Sequence, residues 1–337
     1  MALPVGPISS SSPPGDTDAD ELLSWAQTTV DGRSTIYGVA GAGLPVLFLH
    51  GWGLGQHSYK AALRRLVRLG CRVYAPALPG FGGTGQLGSR SFSFAGYAAW
   101  VDAFLSSLEV REPVFLVGHS FGGGVAIKLA HDFPDRVRTL VLVNSVGGST
   151  WTSAGSRVRS MAERPLWDWG LHFPSDILPL PQLTRVIPVM LEDALPNALR
   201  NPLAMWKVAQ LARKADLTAE LEELKARRLP VVVLWGDKDQ IIPRASFDAL
   251  CAAIGSTGEV VHGTHSWLLA DPESFGEVMT NVVSVARVAR EHEQETTTAR
   301  PRRLRTLRGA KPGDVESSLP DPPPDPPPDP AGGPGAG

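Results

Sequence analysis

The ten residues VFLVGHSFGG, Val114 to Gly123, decide how this 337-residue chain is predicted to fold. An apolar run of strand length leads into the pattern Gly118-x-Ser120-x-Gly122, and helical periodicity continues over Val125–Phe133. Small residues at 118 and 122 let the chain turn sharply, so that the Ser120 hydroxyl is exposed above the sheet. The stretch therefore predicts a strand, a strained turn with a reactive serine, and a helix whose N-terminus points towards developing negative charge.

Strand and helix patterns alternate on both sides of this stretch. A hairpin turning at Asp31-Gly32 comes early in the chain, and the apolar runs Val137–Val143 and Val231–Trp235 are typical of strands covered on both faces. Alternation of this kind produces crossover connections between parallel strands. We therefore predict an α/β fold with a mostly parallel eight-stranded sheet flanked by helices.

The alternation breaks between residues 150 and 228, where prolines punctuate short helical patches. Ligands bind at the carboxyl ends of parallel strands, so a segment that leaves the sheet there lies over the site. We interpret 150–228 as a helical cap inserted after strand 6, with 20–149 and 229–290 forming the core. The alternative is a surface excursion without a role.

Both ends of the chain have compositions that cannot form a core. Residues 1–19 are rich in Ser, Pro and Asp, and residues 291–337 are first basic and then Pro-rich, so both are predicted to be disordered. A solvated tail is the simpler interpretation of the basic stretch, and contact with an acidic surface is the alternative.

Composition narrows the class of protein. A net charge of −2 argues against nucleic acid as a partner, and two distant cysteines argue against a disulfide framework. The N-terminus does not resemble a signal peptide, and no apolar run is long enough to span a membrane. We expect a cytoplasmic protein without a transmembrane segment, and the sequence does not indicate an oligomeric state.

A serine hydroxyl becomes a good nucleophile only beside a base that is itself oriented by an acid. The candidate base is His265, in the loop that follows the short strand Glu259–Val261, since a loop histidine can reach over the edge of the sheet. His262 directly ends that strand and is the less favoured alternative. The candidate acids are Asp237 and Asp239, which follow the buried strand Val231–Trp235.

Two backbone N–H groups are candidates for binding an oxyanion. The first belongs to Trp52, in the glycine-rich sequence His50-Gly51-Trp52-Gly53, and the second belongs to Phe121, directly after the serine. His50 is interpreted as a structural residue that holds this loop. His119 is interpreted as a packing residue.

Taken together, these motifs resemble those of the α/β-hydrolase fold family, in its capped serine hydrolase form similar to esterases and lipases. The resemblance covers roughly residues 25–290 and rests on five motifs in the expected order: His50-Gly51-Trp52-Gly53, Leu78-Pro79-Gly80-Phe81-Gly82, Gly118-His-Ser-Phe-Gly122, Gly236-Asp-Lys-Asp239 and Gly263-Thr-His265. One departure is Ala77, where the family often has an aspartate before the turn.

The resemblance implies a catalytic set of Ser120, Asp239 and His265, since the family places its acid at the fourth position of Gly-x-x-Asp. Some members carry the acid after the strand equivalent to Val137–Val143, but here that strand ends in Asn144-Ser145. The expected reaction is cleavage of a carboxylic ester with an apolar acyl or alcohol part, without a metal or cofactor. Aromatic residues are expected to bind this small-molecule substrate: Trp151, Trp167, Trp206 and Trp267.

Three alternatives stay open at this level. A thioesterase or C–C bond hydrolase uses the same three residues. An acyltransferase or perhydrolase replaces water with another nucleophile. A binding protein on a hydrolase scaffold has no turnover at all.

Overall fold

The computed structural model of the protein describes residues 23–148 and 190–298. By its internal contacts the chain forms one compact unit up to Glu291, and from His292 onward the description covers helical backbone to Thr298. Three segments lie outside the described residues: 1–22, with the predicted disordered residues 1–19; 149–189, with residues 150–189 of the predicted cap; and 299–337 of the predicted tail.

Eight strands form one sheet: β1 Ser24–Val30, β2 Arg33–Ala40, β3 Leu44–Leu49, β4 Cys71–Pro76, β5 Val114–His119, β6 Val137–Val143, β7 Val231–Gly236 and β8 Glu259–Val261. Their order across the sheet is β1-β2-β4-β3-β5-β6-β7-β8. The pairs formed by β1 with β2 and by β2 with β4 are antiparallel, and all later pairs are parallel. The predicted fold class is therefore confirmed.

The described helices are α1 Lys60–Arg68, α2 Phe94–Ser107, α3 Phe121–Asp132, α4 Leu195–Arg200, α5 Pro202–Arg213, α6 Thr218–Ala226, α7 Arg244–Ile254, α8 Trp267–Ala270 and α9 Pro272–Thr298. Between β6 and β7 the described residues 190–226 are mostly helical, and we call them the cap segment. Helix α9 continues past residue 290, where the disordered tail is predicted to begin. Its residues Glu291–Glu295 are mostly good helix formers.

The sheet is buried on both faces, which explains why its central strands are continuously apolar. Successive residues of β5 enter different hydrophobic clusters: Leu116 packs with α2 and α3, whereas Phe115 and Val117 pack with α1 and α9. Each fully buried side chain of this size contributes about 1.5–3 kcal/mol. Burial on two faces therefore favours strands that are apolar at every position.

The parallel strands bring several chemically important loops to one edge of the sheet. The loops after β3, β5, β6, β7 and β8 all leave from carboxyl ends, where ligands bind in sheets of this kind. Each of these loops carries at least one residue that matters for the site, among them Trp52, Ser120, Asn144, Asp239 and His265.

None of the described helices is long and apolar enough to cross a lipid bilayer.

Candidate active site

Ser120 lies at the turn between β5 and α3 in a backbone conformation that few residues other than glycine adopt. Its φ is 53° and its ψ is −118°. Conformations of this type cost about 1–3 kcal/mol and persist only where the surroundings hold them. Here the Ser120 N–H donates to the Val143 carbonyl at 3.0 Å, and the Ser120 carbonyl accepts from the Gly123 N–H at 3.0 Å.

The close packing of this turn requires glycine at position 122. A Cβ atom there would collide with the carbonyl oxygen of Leu49 at the end of β3. The helix α3 can therefore begin directly beside the sheet, with its first N–H groups at the level of the serine. The first N–H groups of a helix have no partner within it, so the Phe121 N–H is suited to bind an oxyanion.

His265 and Asp239 form a buried hydrogen-bonded pair. The His265 Nδ1 lies 2.8 Å from the Asp239 Oδ2, and both residues are almost fully buried. The other carboxylate oxygen accepts from the N–H groups of Ile241 and Ile242, each at 2.8 Å. An ionised carboxylate only accepts, so Nδ1 carries the ring proton and Nε2 is left as the acceptor.

Asn144 completes this pair, and sequence reasoning missed its role. Its amide Nδ2 donates to the Asp239 Oδ2 at 2.6 Å, while its Oδ1 accepts from the Gly236 N–H at 3.3 Å and the Trp267 Nε1–H at 3.1 Å. Its φ of 45° is a conformation in which asparagine is enriched. An asparagine directly after a buried strand was therefore the one feature of the sequence that could have pointed to Asn144.

Ser120 and His265 line the same pocket. The other described residues that line it are Gly51, Trp52, Leu54, His119, Ala212, Ile241 and Ser266. The pocket thus contains the serine, the histidine and the loop after β3, while Asp239 lies behind His265. Ala212 of α5 is the described contribution of the cap segment, and it lies on the inward stripe of that helix with Ala204 and Val208.

The loop after β3 is held by two buried side chains. His50 Nδ1 lies 2.9 Å from the Gly51 carbonyl, and its Nε2 accepts from the Leu78 N–H at 2.9 Å. The Gly51 N–H donates to the Tyr59 hydroxyl at 2.9 Å. His50 therefore has the structural position expected of it, whereas Tyr59 was not anticipated.

His119 does more than pack against its neighbours. Its Nε2 lies 3.0 Å from the His265 carbonyl, and its Nδ1 lies 2.7 Å from the Tyr59 hydroxyl. The carbonyl only accepts, so Nε2 carries the proton and Tyr59 donates to Nδ1. Burial and then the neighbouring His265 hold the pKa of His119 well below its usual value, which keeps this chain of hydrogen bonds in its neutral form.

Asp237 belongs to a different, exposed cluster. Its carboxylate accepts from the Gly263 N–H at 2.9 Å and lies 3.0 Å from the Nδ1 of His262. The Gly263 N–H and then His262 lower the pKa of Asp237. Asp237 and His262 thus pair with each other on the surface, and Asp239 and His265 pair inside.

Of the four tryptophans expected to bind substrate, the structure describes Trp206 and Trp267. Trp151 and Trp167 lie outside the described residues. Trp206 is 54% exposed, because it lies across helix α5 from the inward stripe. Trp267 is buried, with its indole N–H on Asn144 and its ring near Phe275. Neither Trp206 nor Trp267 is among the described residues that line the pocket, and the role expected of them in substrate binding stays a prediction.

We find no group of three or more His, Cys, Asp or Glu side chains in residues 23–148 and 190–298 that is arranged to hold a metal ion.

The free energy of unfolding is expected to fall as pH drops from about 6.5 to about 4. Burial lowers the pKa of His50 from 6.5 to about 4. In this window the unfolded chain binds a proton on His50 and the folded chain does not, so acid favours unfolding. The difference amounts to about 3 kcal/mol.

Urea unfolding at about pH 7.5 and about pH 4.5 measures this effect. The variant His50→Gln keeps a donor and an acceptor but does not titrate, so its stability should change less between the two pH values. His119 acts in the same direction and accounts for part of the remaining change. Equal pH dependence in parent and variant would rule out His50 as a source.

The chain is similar to several known proteins. The profile of the alpha/beta hydrolase family matches residues 46–278. A pimeloyl-[acyl-carrier protein] methyl ester esterase of Aromatoleum aromaticum is 29% identical over 71% of this chain and 97% of its own. A 2-hydroxymuconate semialdehyde hydrolase of Pseudomonas putida is 27% identical over 73% of this chain and 89% of its own.

A solved structure has the same fold. It is a thermophilic esterase from Thermogutta terrifontis, with a TM-score of 0.59 and 24% identity over 78% of this chain and 99% of its own. At this identity the likeness concerns the fold alone.

Proposed function

This chain belongs to the alpha/beta hydrolase family, and from that premise we propose that it is a serine hydrolase that cleaves carboxylic esters. The observation that carries the proposal is the arrangement of one pocket. It is lined by Ser120 in its strained turn and by His265, whose Nδ1 is held by Asp239 at 2.8 Å. A nucleophile, a base and an acid in this order match the requirements of acyl transfer through serine.

In this mechanism the Ser120 Oγ attacks the ester carbonyl carbon, and the His265 Nε2 takes the hydroxyl proton. The oxyanion is bound by the N–H groups of Trp52 and Phe121. The intermediate collapses, the alcohol leaves with the proton from His265, and the acyl group stays on Ser120. Water then attacks the acyl-enzyme with His265 as base, and the acid and the free serine are released.

The pocket supports an apolar, uncharged group next to the scissile bond. Its described lining includes the apolar side chains Leu54, Ala212 and Ile241, and among the described lining residues there is no carboxylate, ammonium or guanidinium group. A charged acyl chain would lose its hydration there without gaining a partner.

Two p-nitrophenyl esters of equal chain length test this substrate class. One ends in a methyl group and the other in a carboxylate. We expect kcat/KM to be at least about tenfold higher for the methyl-terminated ester, because the carboxylate is desolvated on binding. Equal values for both esters would contradict the proposed apolar site.

The alternative is cleavage of a C–C bond, and one relative of this chain is the 2-hydroxymuconate semialdehyde hydrolase of P. putida. The same serine, acid and histidine are compatible with that reaction and with thioester cleavage. A substrate panel of matched ester, thioester and C–C compounds separates the three, and the ester proposal requires the highest kcat/KM for an ester.

A further inference from the structure

The loop that carries the Trp52 N–H has little conformational preference of its own. It contains glycine at positions 51, 53 and 55, and Gly53 has a φ of 78°. Glycine populates positive and negative φ about equally, so such a backbone takes many conformations when nothing holds it. The position of the Trp52 N–H therefore depends on contacts made by the residues on either side.

The core of the protein holds the part of the loop before Trp52. Gly51 is bound at its N–H by Tyr59 and at its carbonyl by His50, both at 2.9 Å. These two bonds determine the peptide that leads into Trp52. They do not restrain the chain that leaves it.

Asn197, in helix α4 of the cap segment, holds the part after Trp52. Its Nδ2 donates to the carbonyls of Gly53 at 3.1 Å and Leu54 at 3.3 Å. Its Oδ1 accepts from the Gly82 N–H at 3.0 Å, on the loop that follows β4. The amide nitrogen of Asn197 thus binds the loop after β3, and its amide oxygen binds the loop after β4. In this way one side chain joins both core loops to the cap segment.

The described side chains of helix α4 bury little apolar surface, so hydrophobic packing contributes little to its position. Asn197 is its buried residue, while Leu195 is 48% exposed and Leu199 is 74% exposed. Burying an amide is unfavourable unless its hydrogen bonds are made, and an apolar residue at 197 would pack without that requirement. The three hydrogen bonds of the amide therefore contribute strongly to the orientation of α4 on the loop.

Two further contacts join the same parts of the molecule. The Trp52 indole N–H donates to the Met205 carbonyl of α5 at 2.8 Å. The buried Asp193 carboxylate accepts from the N–H and the hydroxyl of Ser58, at 2.8 and 2.6 Å. The cap segment thus contacts the loop at Trp52 itself and on its C-terminal side.

We infer that Asn197 is a positioning residue that sets the Trp52 N–H for oxyanion binding, so that the oxyanion site is complete only when the cap segment is seated on the loop. The inference rests on the proposed serine mechanism for the role of Trp52. The coupling between Asn197 and the loop is testable without turnover.

The isosteric variant Asn197→Asp tests the inference most directly. A carboxylate still accepts from the Gly82 N–H, but it places an oxygen against the carbonyls of Gly53 and Leu54. We expect kcat for a p-nitrophenyl ester to fall about 10- to 100-fold, with KM changed by less than about threefold, because the displaced donor acts in the transition state. Asn197→Ala removes the same donations without adding charge and should act in the same direction.

A second substrate separates positioning from a merely structural role. In a thionoester the carbonyl oxygen is replaced by sulfur, which is larger and a weaker acceptor, so a well-formed oxyanion site strongly prefers the oxygen ester. We expect the ratio of the two kcat/KM values to fall about tenfold in Asn197→Asp. An unchanged ratio would overturn the inference.

Asn201→Ala is the matched control. Asn201 lies in the same cap segment, and its side chain caps helix α5 by accepting from the Ala204 N–H at 3.1 Å. Its replacement should lower the melting temperature through the lost cap but leave kcat and the oxygen-to-sulfur ratio unchanged. Loss of activity in both variants would attribute the effect to cap stability, against the inference.

Hydrogen–deuterium exchange of the full-length parent and both variants keeps the two proposals distinguishable. Exchange in the peptide spanning residues 51–58 should rise in Asn197→Asp and not in Asn201→Ala. If the parent has no esterase activity but this exchange pattern is seen, the proposed function fails and the coupling stands. If the exchange is the same in all three proteins, the coupling fails.

Discussion

Replacing Ser120 by alanine is expected to lower ester turnover by about 10³-fold or more. The side chain lost is the proposed nucleophile, so no acyl-enzyme forms and the remaining groups can only bind the substrate. The fold should be unaffected, since the hydrogen bonds of residue 120 that hold the turn are made by its backbone. Initial rates on a p-nitrophenyl ester measure the effect, with circular dichroism as a check on folding.

Ser246→Ala is a matched control for this variant. Ser246 is also a buried serine, but its hydroxyl donates to the Gly148 carbonyl at 2.9 Å and does not line the pocket. We expect its kcat within about threefold of the parent. A fluorophosphonate probe should label the parent and Ser246→Ala and fail to label Ser120→Ala. Parent-like turnover in Ser120→Ala would reject the serine mechanism.

The variant Asp239→Asn is expected to lower kcat by about 10³- to 10⁴-fold. The N–H groups of Ile241 and Ile242 require an acceptor, so the oxygen of the new amide must face them. Its NH₂ group then faces His265 Nδ1 and forces the ring proton onto Nε2. A His265 protonated at Nε2 cannot take the proton of Ser120.

The hydrogen bond from Asn144 to residue 239 adds a second unfavourable effect to the substitution Asp239→Asn. Asn144 already donates to the Asp239 oxygen that faces His265, at 2.6 Å, so the new NH₂ group would meet a second donor. Two donors facing each other in a buried site are unfavourable, which also predicts a lower melting temperature for Asp239→Asn.

Asp237→Asn is the matched control, two residues away in the same turn. Its carboxylate is 41% exposed and contacts Gly263 and the exposed His262, so an amide can replace most of its interactions. We expect its kcat to stay within about threefold of the parent. A severe loss in Asp237→Asn together with a mild effect of Asp239→Asn would overturn the assignment of the acid.

The secondary structure of the core was largely predictable because its patterns are local. Strands β6 and β8 have the predicted bounds, and β7 extends one residue beyond the predicted Val231–Trp235, to Gly236. Burial on both faces makes these strands apolar throughout, which is visible without knowledge of their partners. Helix α3 follows the turn as predicted, although Phe121–Gly124 carries three glycines, because tertiary packing overrides their low helix propensity.

The residues around the candidate site were predictable only where a motif names them. Ser120, His265 and Asp239 stand in short patterns with strict spacing, and the structure brings Asp239 and His265 into contact and His265 into the pocket of Ser120. Asn144 and Tyr59 have no such pattern. Each is brought to the site by pairing between strands or loops far apart in the sequence.

The cap illustrates the limit of composition as a guide. The prediction that tryptophans bind the substrate rests on residue type. The direction of a side chain, however, is set by the face of the helix on which it lies. Trp206 lies on the outer side of α5, whereas the small Ala212 faces the pocket. Residue type alone does not distinguish these two cases.

By itself, the sequence determined the α/β architecture, the family and the candidate nucleophile, because these depend on periodicity and on motifs read within a few residues. Tertiary structure alone decided that Asn144 and His119 support Asp239 and His265, and that Asn197 of the cap segment holds the loop of Trp52. The physical reason is that hydrogen bonds and burial depend on distance in space. At the carboxyl edge of a parallel sheet, residues more than a hundred positions apart become neighbours.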